Sequence, residues 1–579
     1  MEAQDEEEDR LGERVESCEL MSDEEVRRGK EKELKALQDK GVYSVVQLPR
    51  GKRAIGTRWV LKAKESNEGL VCKARVVVQQ INMYQSTDFY APTPSLSCLR
   101  LLLSHNSWSR NTHTAQNYTL QSFDVSTAFL HATLEDEVYV RAPPGVQLKP
   151  GEVWRLHKAL YGLRAAPALW SQHLCKVLEA IGFKRSLAEP SLYVQGEGPN
   201  QVLLLVHVDD ALVSGPAKTV AKIMSSLSSS LSMTTSPALL RDGDTCKLLG
   251  RTITRTRDGY SMTGDESLAK LSLDALGLGG KTRPVTSPCV PKSSSPSSSS
   301  SKLLSPEMHS EFRVHVGRLA YMSADRIDLQ FSVKALSRCL AAPTEEDWEA
   351  LKRCFRHVKS HPSMVYNYTC RRCPTQVSIY CDSDWGAEVV SRKSTSGGVL
   401  CLEQDVLLTY SRTQSTVSLS STEAELTSAV TACSEGLHMV TILNELSIPT
   451  KLVLFSDSKA GIDHLSRLGC GKLKHLQLRA AFLQQLIHRK EVSIRKILGA
   501  DNISDLLTKA VAPSTLWSLL RSSLMNVVLP THPDIAKASV VDVVKEEEED
   551  PVVNVSSLSW SCLRSFGGMD DLEEISFVM

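Results

Sequence analysis

The segment from Leu203 to Gly215, LLLVHVDDALVSG, places two adjacent carboxylates inside an otherwise apolar stretch. Both flanks are typical of buried strands, and the two residues between them predict a β-hairpin with Asp209 and Asp210 at its tip. Asp-Asp is a poor hairpin turn, because both residues tolerate positive φ less well than glycine does. Two repelling charges held between buried strands therefore require a chemical explanation.

The composition indicates a globular chain of several domains. Its 579 residues are enough for three or four domains, and 42% of them are hydrophobic, which supplies a core. Lys plus Arg equals Asp plus Glu at 67 each, which counts mildly against a nucleic-acid enzyme. Residues 2–10 and 544–551 are acidic, however, so the chain between them is net basic.

Two absences narrow the class of protein. No apolar run reaches the roughly 18 residues that span a bilayer, so we expect no membrane partner. The 15 cysteines are scattered, which predicts reduced thiols and an intracellular protein. The pair Cys370 and Cys373 is interpreted as incidental, because a zinc site needs four ligands.

Composition and periodicity divide the chain into six segments. A charged N-terminus is predicted to be flexible, a mixed region of short strands and helices follows, and a Ser/Pro linker too polar to pack precedes a helical segment. Then come strands followed by alternating helix and strand, and an acidic tail that is predicted to be disordered. These segments are 1–30, 31–285, 286–305, 306–375, 376–512 and 513–579.

A third acid stands upstream of the hairpin. Asp124 ends a short apolar segment and precedes residues 127–130, which can turn into a helix. Carboxylates on rigid elements hold two Mg²⁺ ions about 3.5–4 Å apart in sites of phosphoryl transfer. The alternative is that Asp124 caps a helix and that Asp209 and Asp210 form an exposed turn, since carboxylates are common in both places.

Seven motifs in a fixed order surround these aspartates: RAIGTRWVLKAK (53–64), KARVVV (73–78), FDVSTAFLHATLEDEVYVRAPPG (123–145), LHKALYGLRAAPALW (156–170), LLLVHVDDALVSG (203–215), LLGRTITRTRDG (248–259) and VGRLAYMSADRIDLQFSV (316–333). Together they closely resemble the reverse transcriptase of copia-type LTR retrotransposons over roughly residues 43–370. The resemblance implies a right-hand polymerase with fingers and palm in 31–285 and a thumb or connection in 306–375.

The resemblance also implies roles for individual residues. The palm carboxylates would be Asp124, Asp209 and Asp210, and the backbone carbonyl of Val125 would be a further metal ligand. Cationic side chains of the fingers would neutralise the incoming triphosphate, and a bulky residue would exclude a ribose 2′-OH. Arg75, together with Lys62 or Lys64, matches the cations that bind the triphosphate. Phe129 matches the bulky residue.

The sequence departs from the family pattern beside the metal ligands. His207 stands where the family usually has Tyr, and Ala165 and Ala168 replace Gln and Arg of the Gly-Leu-Lys-Gln-Ala-Pro-Arg motif. His131-Ala132 replaces the usual Asn-Gly. These changes affect segments expected to handle nucleotide and template, and they spare the metal ligands.

A second group of acids follows the linker. Asp382 and Asp457 end predicted strands, whereas Glu425 and Asp505 stand on predicted helices. Asp384 is the less favoured substitute for Asp382, because strand alternation places Asp382 at the strand end. The alternative for the whole group is a solvated acidic face.

The order strand–Asp, helix–Glu, strand–Asp, helix–Asp resembles the ribonuclease H domain of copia-type elements over 376–510, in the motifs CDSDWGAEVVSRKSTSGG, STEAEL, FSDSKA and NISDLLTK. The resemblance implies an α/β ribonuclease H-like domain in 376–512 whose four acids bind two Mg²⁺ ions and position water. Trp59, Trp170 and Trp385, near the two groups of acids, are predicted to be core residues rather than base-stacking platforms.

We therefore expect an α+β right-hand polymerase followed by a ribonuclease H-like domain, as a portion of a retroelement polyprotein. The resemblance implies a location in the cytoplasm, in a virus-like particle, or in the nucleus. It would copy RNA into DNA and degrade the RNA strand, with two Mg²⁺ ions per site, or Mn²⁺ in their place. The expected partners are an RNA template, a DNA primer, the RNA–DNA hybrid and deoxynucleoside triphosphates. The alternative is a decayed or co-opted copy that binds nucleic acid without polymerising.

Overall fold

The computed structural model of the chain describes residues 14–16, 21–66, 69–80, 90–280, 282–289, 302–388, 390–467, 469, 477–524 and 526–529. Short strands alternate with helices through the first of these regions, in the order β1 (Arg14–Glu16), α1 (Asp23–Asp39), β2 (Tyr43–Gln47), β3 (Thr57–Ser66), β4 (Gly69–Val78), α2 (Leu96–Thr112), β5 (Tyr118–Val125), β6 (Thr133–Val140), β7 (Glu152–Lys158), α3 (Ala166–Ala180), β8 (Lys184–Arg185), β9 (Leu192–Gln195), β10 (Val202–His207), β11 (Asp210–Pro216), α4 (Ala217–Ser230), β12 (Met233–Thr235), β13 (Thr245–Leu248), β14 (Arg251–Arg255), β15 (Tyr260–Gly264) and α5 (Ser267–Ala275).

The remaining elements begin with three helices, after which strands and helices alternate. They are α6 (Pro306–Ser323), α7 (Ile327–Arg338), α8 (Glu345–Ser360), β16 (Val365–Tyr368), β17 (Gln376–Ser383), β18 (Thr395–Leu402), β19 (Asp405–Thr413), α9 (Ser421–Glu445), β20 (Lys451–Ser456), α10 (Lys459–Leu465), α11 (Gln477–His488), β21 (Val492–Lys496), α12 (Asp505–Thr508), α13 (Pro513–Ser523) and β22 (Val527–Val528). No helix in the described part of the chain is long and apolar enough to cross a membrane.

A six-stranded sheet, with the strand order β12-β5-β11-β10-β9-β8, carries the first three aspartates. Leu203 and Leu205 of β10 pack in a cluster with Leu102 of α2, whereas Leu204 packs in a second cluster with Trp170 of α3. Successive side chains of a strand point to opposite faces, so a sheet covered on both faces needs a continuous apolar run. This double burial explains the run LLLV before the two aspartates.

The hairpin turn lies one residue earlier than the sequence predicts. His207 is the cross-strand partner of Asp210, so the two turn residues are Val208 and Asp209, and Asp210 is the first residue of β11. Val208 has a φ of 56°, which is unfavourable for a β-branched residue. The indole Nε1 of Trp170 donates a hydrogen bond of 2.5 Å to the Val208 carbonyl oxygen and fixes this turn.

The N-terminal segment is more ordered than the predicted flexible 1–30. Helix α1 begins inside it, because Ser22 and Glu25 form a reciprocal capping box and Leu37 is fully buried in a cluster with Trp59. The motif Ser22-x-x-Glu25 was the available signal for this helix. Residues 1–13 and 17–20 lie outside the described residues.

The linker and the tail also pack at their described ends. Ser287 is 1% exposed, and the Cys354 thiol contacts the carbonyl oxygen of Pro288 at 3.5 Å, so the start of 286–305 is not too polar to pack. In the predicted tail, α13 buries Leu516 and Leu519, and β22 pairs with β16. Residues 290–301 and 530–579 lie outside the described residues.

A second sheet has the strand order β19-β18-β17-β20-β21. Strands β19, β18 and β17 are antiparallel neighbours, whereas β17, β20 and β21 are parallel. Helix α9 lies against this sheet, where Gly436 lets it approach Leu452 of β20. The three parallel strands bring their carboxyl ends to one edge, which positions the acids that follow them.

The two regions that carry these sheets share one continuous core within the compact unit of residues 1–530. Helix α2 contributes Leu99 and Leu103 to it, and strand β19 contributes Val406 and Leu407. Polar contacts join the same two elements. The Ser104 hydroxyl donates to Asp405 Oδ2 at 2.5 Å, and Arg100 Nη1 donates to the Leu407 carbonyl oxygen at 3.3 Å.

Asp405→Ala is expected to destabilise the protein by about 3 kcal/mol, because it leaves several donors without their acceptor inside the core. Asp405 is fully buried and accepts from Ser104, from the Thr369 N–H at 3.3 Å and from Asn526 Nδ2 at 2.9 Å. Urea titration would measure the free energy of unfolding. Glu349→Ala removes an exposed carboxylate with one Lys352 partner and serves as the control, with an expected change below about 0.5 kcal/mol.

Candidate active sites

The first group of acids is assembled by the register of two neighbouring strands. Asp124 of β5 is the direct cross-strand partner of Asp210 of β11. The backbone N–H of Val125 donates to the Asp209 carbonyl oxygen at 2.8 Å, which fixes the hairpin turn against the end of β5. Directly opposed residues have Cβ atoms about 5 Å apart, so the structure brings all three predicted aspartates to one end of the sheet.

The electrostatics of this group reflect crowding. Partial burial, followed by the charges of Asp209 and Asp124, raises the pKa of Asp210, and His207 opposes the rise. Like charges at close range disfavour ionisation, whereas a cation among them would favour it. Carboxylate oxygens are hard ligands of the kind that Mg²⁺ prefers, so the chemistry of these three side chains fits such a cation.

Two of the predicted triphosphate-binding residues share a face of the hairpin β3–β4. Lys62 is exposed and stands opposite Lys73, and Arg75 stands opposite Val60, so the alternation of strands places Lys62 and Arg75 on the same face. Lys64 belongs to β3, and its side chain lies outside the described residues.

Tyr161 contacts both Arg75 of this hairpin and Phe129, and sequence reasoning missed it. The Arg75 guanidinium lies 4.7 Å from the centroid of the Tyr161 ring, and the ring of Phe129 meets the same ring edge-on at 5.4 Å. The available signal was the position of Tyr161 directly before Gly162 in the motif LYGL.

The departures from the family pattern lie close to these elements. Ala165 is the N-cap of α3 and offers no side-chain cap, and Ala132 is buried next to the short 3₁₀ turn Ala128–His131. His207 is the cross-strand partner of Asp210. None of these three positions removes an oxygen from the first group of acids.

The second group of acids is tighter. Asp382 of β17, Glu425 of α9 and Asp457, which directly follows β20, each bring one carboxylate oxygen within 4.8 Å of the other two. Among the described residues this is the set of three acids, histidines or cysteines that meets that distance, and Asp124, Asp209 and Asp210 do not. Glu425 Oε2 is buried without a hydrogen-bond partner, which is the condition a cation would relieve.

Asp505 joins this group through a lysine. It is the first residue of α12, and its Oδ1 lies 2.8 Å from Lys509 Nζ, which is also 3.8 Å from Asp382 Oδ2. The Thr508 hydroxyl donates to Asp382 as well. Sequence reasoning missed Lys509 and Thr508, although the spacing of four residues from Asp505 to Lys509 is that of a helical ion pair.

Burial and mutual repulsion raise pKa values in the second group. Burial raises the pKa of Glu425 to about 8, and the charges of Asp382 and Asp457 add to the rise. Burial likewise raises the pKa of Asp382 to about 7, against the lowering effect of Lys509. The less favoured Asp384 accepts the Thr395 backbone N–H at 2.9 Å, so it serves the adjacent loop.

The three tryptophans near these groups differ in exposure. Trp59 and Trp170 are each 1% exposed, which confirms the prediction of core residues. For Trp385 the prediction is wrong, because its side chain is 58% exposed while its Nε1 donates to the Ser418 carbonyl oxygen at 3.0 Å. It follows Asp382 by three residues in a loop, where strand periodicity gives no information about burial.

Comparisons with known proteins agree with the resemblance of the motifs. The family model described as reverse transcriptase (RNA-dependent DNA polymerase) matches residues 40–289. The retrovirus-related Pol polyprotein from transposon TNT 1-94 of Nicotiana tabacum is 28% identical over 83% of this chain and 36% of that protein. The corresponding polyprotein from transposon RE2 of Arabidopsis thaliana is 29% identical over 79% of this chain and 31% of that protein.

The chain thus spans about a third of the length of these relatives. A solved structure of a foamy viral protease–reverse transcriptase in complex with double-stranded DNA matches 82% of this chain and 70% of that chain, at 13% identity and a TM-score of 0.23, which is too low to support an argument. The family model and the polyproteins confirm the resemblance: residues 40–289 match the reverse transcriptase family, and the chain is similar to part of the Pol polyproteins of copia-type retrotransposons.

Proposed function

We propose that this chain is an RNA-directed DNA polymerase that also degrades the RNA strand of the hybrid it makes. The observation that carries the polymerase is the register of Asp124 with Asp210 beside the Asp209 turn. The observation that carries the nuclease is the convergence of Asp382, Glu425 and Asp457. Each group lies at the end of a sheet.

In the polymerase site the six-stranded sheet acts as the palm, and its three aspartates would hold two Mg²⁺ ions with the Val125 carbonyl. Bound there, the ions would supply activation of the primer hydroxyl and neutralisation of the leaving pyrophosphate. Arg75 and Lys62, on one face of the fingers hairpin, would bind the triphosphate. Phe129, wedged against Tyr161, would act as the bulky residue that excludes a ribose 2′-OH.

In the nuclease site the sheet order β19-β18-β17-β20-β21 supports a ribonuclease H-like fold. The first three strands of this order are antiparallel, and the last three are parallel. Asp382, Glu425, Asp457 and Asp505 would hold two Mg²⁺ ions. The protein side chains would orient these ligands: the Thr508 hydroxyl donates to Asp382, and Lys509 contacts Asp505 and Asp382.

The proposed substrates are an RNA template, a DNA primer, deoxynucleoside triphosphates and the RNA–DNA hybrid. Recognition would depend on backbone phosphates and duplex shape, because both sites must act on any sequence. The competing proposal is a decayed or co-opted copy that binds nucleic acid without polymerising. The replacement of the family Gln and Arg by Ala165 and Ala168 favours that alternative, and intact metal ligands in both sites oppose it.

Asp209→Asn is expected to reduce Mg²⁺-dependent primer extension on an RNA template at least 100-fold, because it removes one negative charge from the metal-binding group. Extension by the full chain would be measured on a gel with a labelled DNA primer. Asp136→Asn, which changes an exposed aspartate of β6, should leave the rate unchanged. Hybrid binding without extension by the wild-type chain would favour the non-polymerising alternative.

Glu425→Gln is expected to abolish cleavage of the RNA strand while primer extension survives, since the two groups of acids occupy separate sheets. A hybrid with labelled RNA reports cleavage, and the same preparation reports extension. Glu435→Gln changes another glutamate of α9, whose contact is Arg412, and should retain both activities. Loss of both activities in Glu425→Gln would contradict two independent sites.

Without divalent cations, the stability of the chain is expected to fall as the pH rises from about 5 to about 8. The pKa of Glu425 and of Asp382 is raised by folding, so the folded state binds more protons than the unfolded state in that window, and the stability they contribute is lost as the pH rises. Thermal unfolding in EDTA would record a midpoint that is lower by a few degrees at pH 8 than at pH 5.

Two comparisons isolate this effect from the titration of other groups. Glu425→Gln should have a shallower pH dependence than the wild-type chain in EDTA, and added Mg²⁺ should raise the wild-type midpoint at pH 8. Identical pH profiles of the two proteins would show that Glu425 does not carry a raised pKa.

A further inference from the structure

The loop between β7 and α3 carries an aromatic side chain that has no role in the proposed chemistry. Tyr161 is partly buried, and one face of its ring lies against the Arg75 guanidinium at 4.7 Å. The Phe129 ring approaches it edge-on, with 5.4 Å between the centroids and 66° between the planes. One side chain thus contacts the proposed triphosphate-binding arginine and the proposed 2′-OH-excluding residue.

The backbone fastens this loop to the strand that carries Arg75. The Tyr161 carbonyl oxygen accepts the Val78 N–H at 2.7 Å, and the Arg164 N–H donates to Gln80 Oε1 at 3.0 Å. Gly162 between them has a φ of 86°, and a Cβ there would collide with the Val78 carbonyl oxygen. The position of the Tyr161 ring is therefore set by the end of β4, three residues beyond Arg75.

The surroundings of the phenol connect it to the acids of the same site. Burial raises the pKa of Tyr161 to about 12, Arg75 opposes the rise, and Glu33, Asp209 and Asp124 add to it. The charges of Arg75 and of these three carboxylates thus all act on the Tyr161 hydroxyl, and two of the carboxylates belong to the first group of acids.

We infer that Tyr161 is a positioning residue for the incoming deoxynucleoside triphosphate, because its ring fixes the Arg75 guanidinium for the phosphates and fixes Phe129 beneath the sugar. The inference rests on the proposed polymerase function and names a residue that acts through two others. A guanidinium held on an aromatic face loses less conformational freedom when it binds phosphate than a free side chain does.

The test measures nucleotide affinity separately from chemistry. Tyr161→Leu is expected to raise the KM for deoxynucleoside triphosphates about fivefold with kcat within about twofold, and to lower the preference for deoxy- over ribonucleotides. Tyr161→Phe keeps the ring and should behave as wild type. Affinity would also be measured without turnover, as the dATP-dependent stability of a complex with an RNA template and a dideoxy-terminated primer whose next template base is uracil.

A double-mutant cycle tests whether Tyr161 acts on nucleotide binding through Arg75. If Tyr161 acts by holding Arg75, Tyr161→Leu should weaken dATP binding much less in an Arg75→Leu background than in the wild-type background. Tyr321→Leu is the matched control and should leave the KM unchanged. The Arg251 guanidinium lies 5.7 Å from the centroid of the Tyr321 ring, and the two residues belong to β14 and to α6, outside the sheet that carries the three aspartates.

Each outcome separates the inference from the proposed function. A wild-type chain that neither extends primers nor forms the dATP-dependent complex overturns the polymerase proposal and this inference with it. A wild-type chain that does both, while Tyr161→Leu binds dATP as tightly, overturns the inference alone. If Tyr161→Leu and Tyr161→Phe both lower kcat and thermal stability to the same extent, the role of Tyr161 is packing and the inference is overturned too.

Discussion

Carboxylates that repel one another are held together in two places because backbone hydrogen bonds fix where they stand. In the first sheet the pairing of β5 with β11 sets Asp124 opposite Asp210, and a backbone hydrogen bond ties the Asp209 carbonyl to Val125. The ladder hydrogen bonds of this buried sheet hold the strands in place, and the pKa of Asp210 is raised by partial burial and then by the charges of Asp209 and Asp124.

The sequence predicts those features that depend on periodicity. Strand alternation was sufficient to prefer Asp382 over Asp384, and the apolar run before Asp209 marks a strand buried on both faces. The position of the hairpin turn was predicted one residue too late because it depends on the pairing register of the two strands. In the structure Val208 adopts a positive φ, and its carbonyl oxygen accepts a hydrogen bond from Trp170. Local turn chemistry alone would not select a β-branched residue there.

Contacts between distant segments were beyond sequence reasoning. Ser104 and Asp405 are 301 residues apart and meet inside one core, and no local pattern marks either residue as a partner. The same reason explains why Tyr161 was missed, because its significance comes from Arg75 and Phe129 on two other elements. Trp385 illustrates the opposite case, in which a residue type usually buried stands on a loop whose exposure periodicity does not determine.

The two groups of acids differ in how the protein itself offsets their charge. Lys509 lies within 4.0 Å of Asp505 and Asp382 in the second group, whereas Arg75 approaches the first group through the ring of Tyr161. A lysine among buried acids lowers their pKa values only in part, because burial still raises the pKa of Glu425 to about 8 and that of Asp382 to about 7. The remaining charge of these carboxylates is what divalent cations would neutralise.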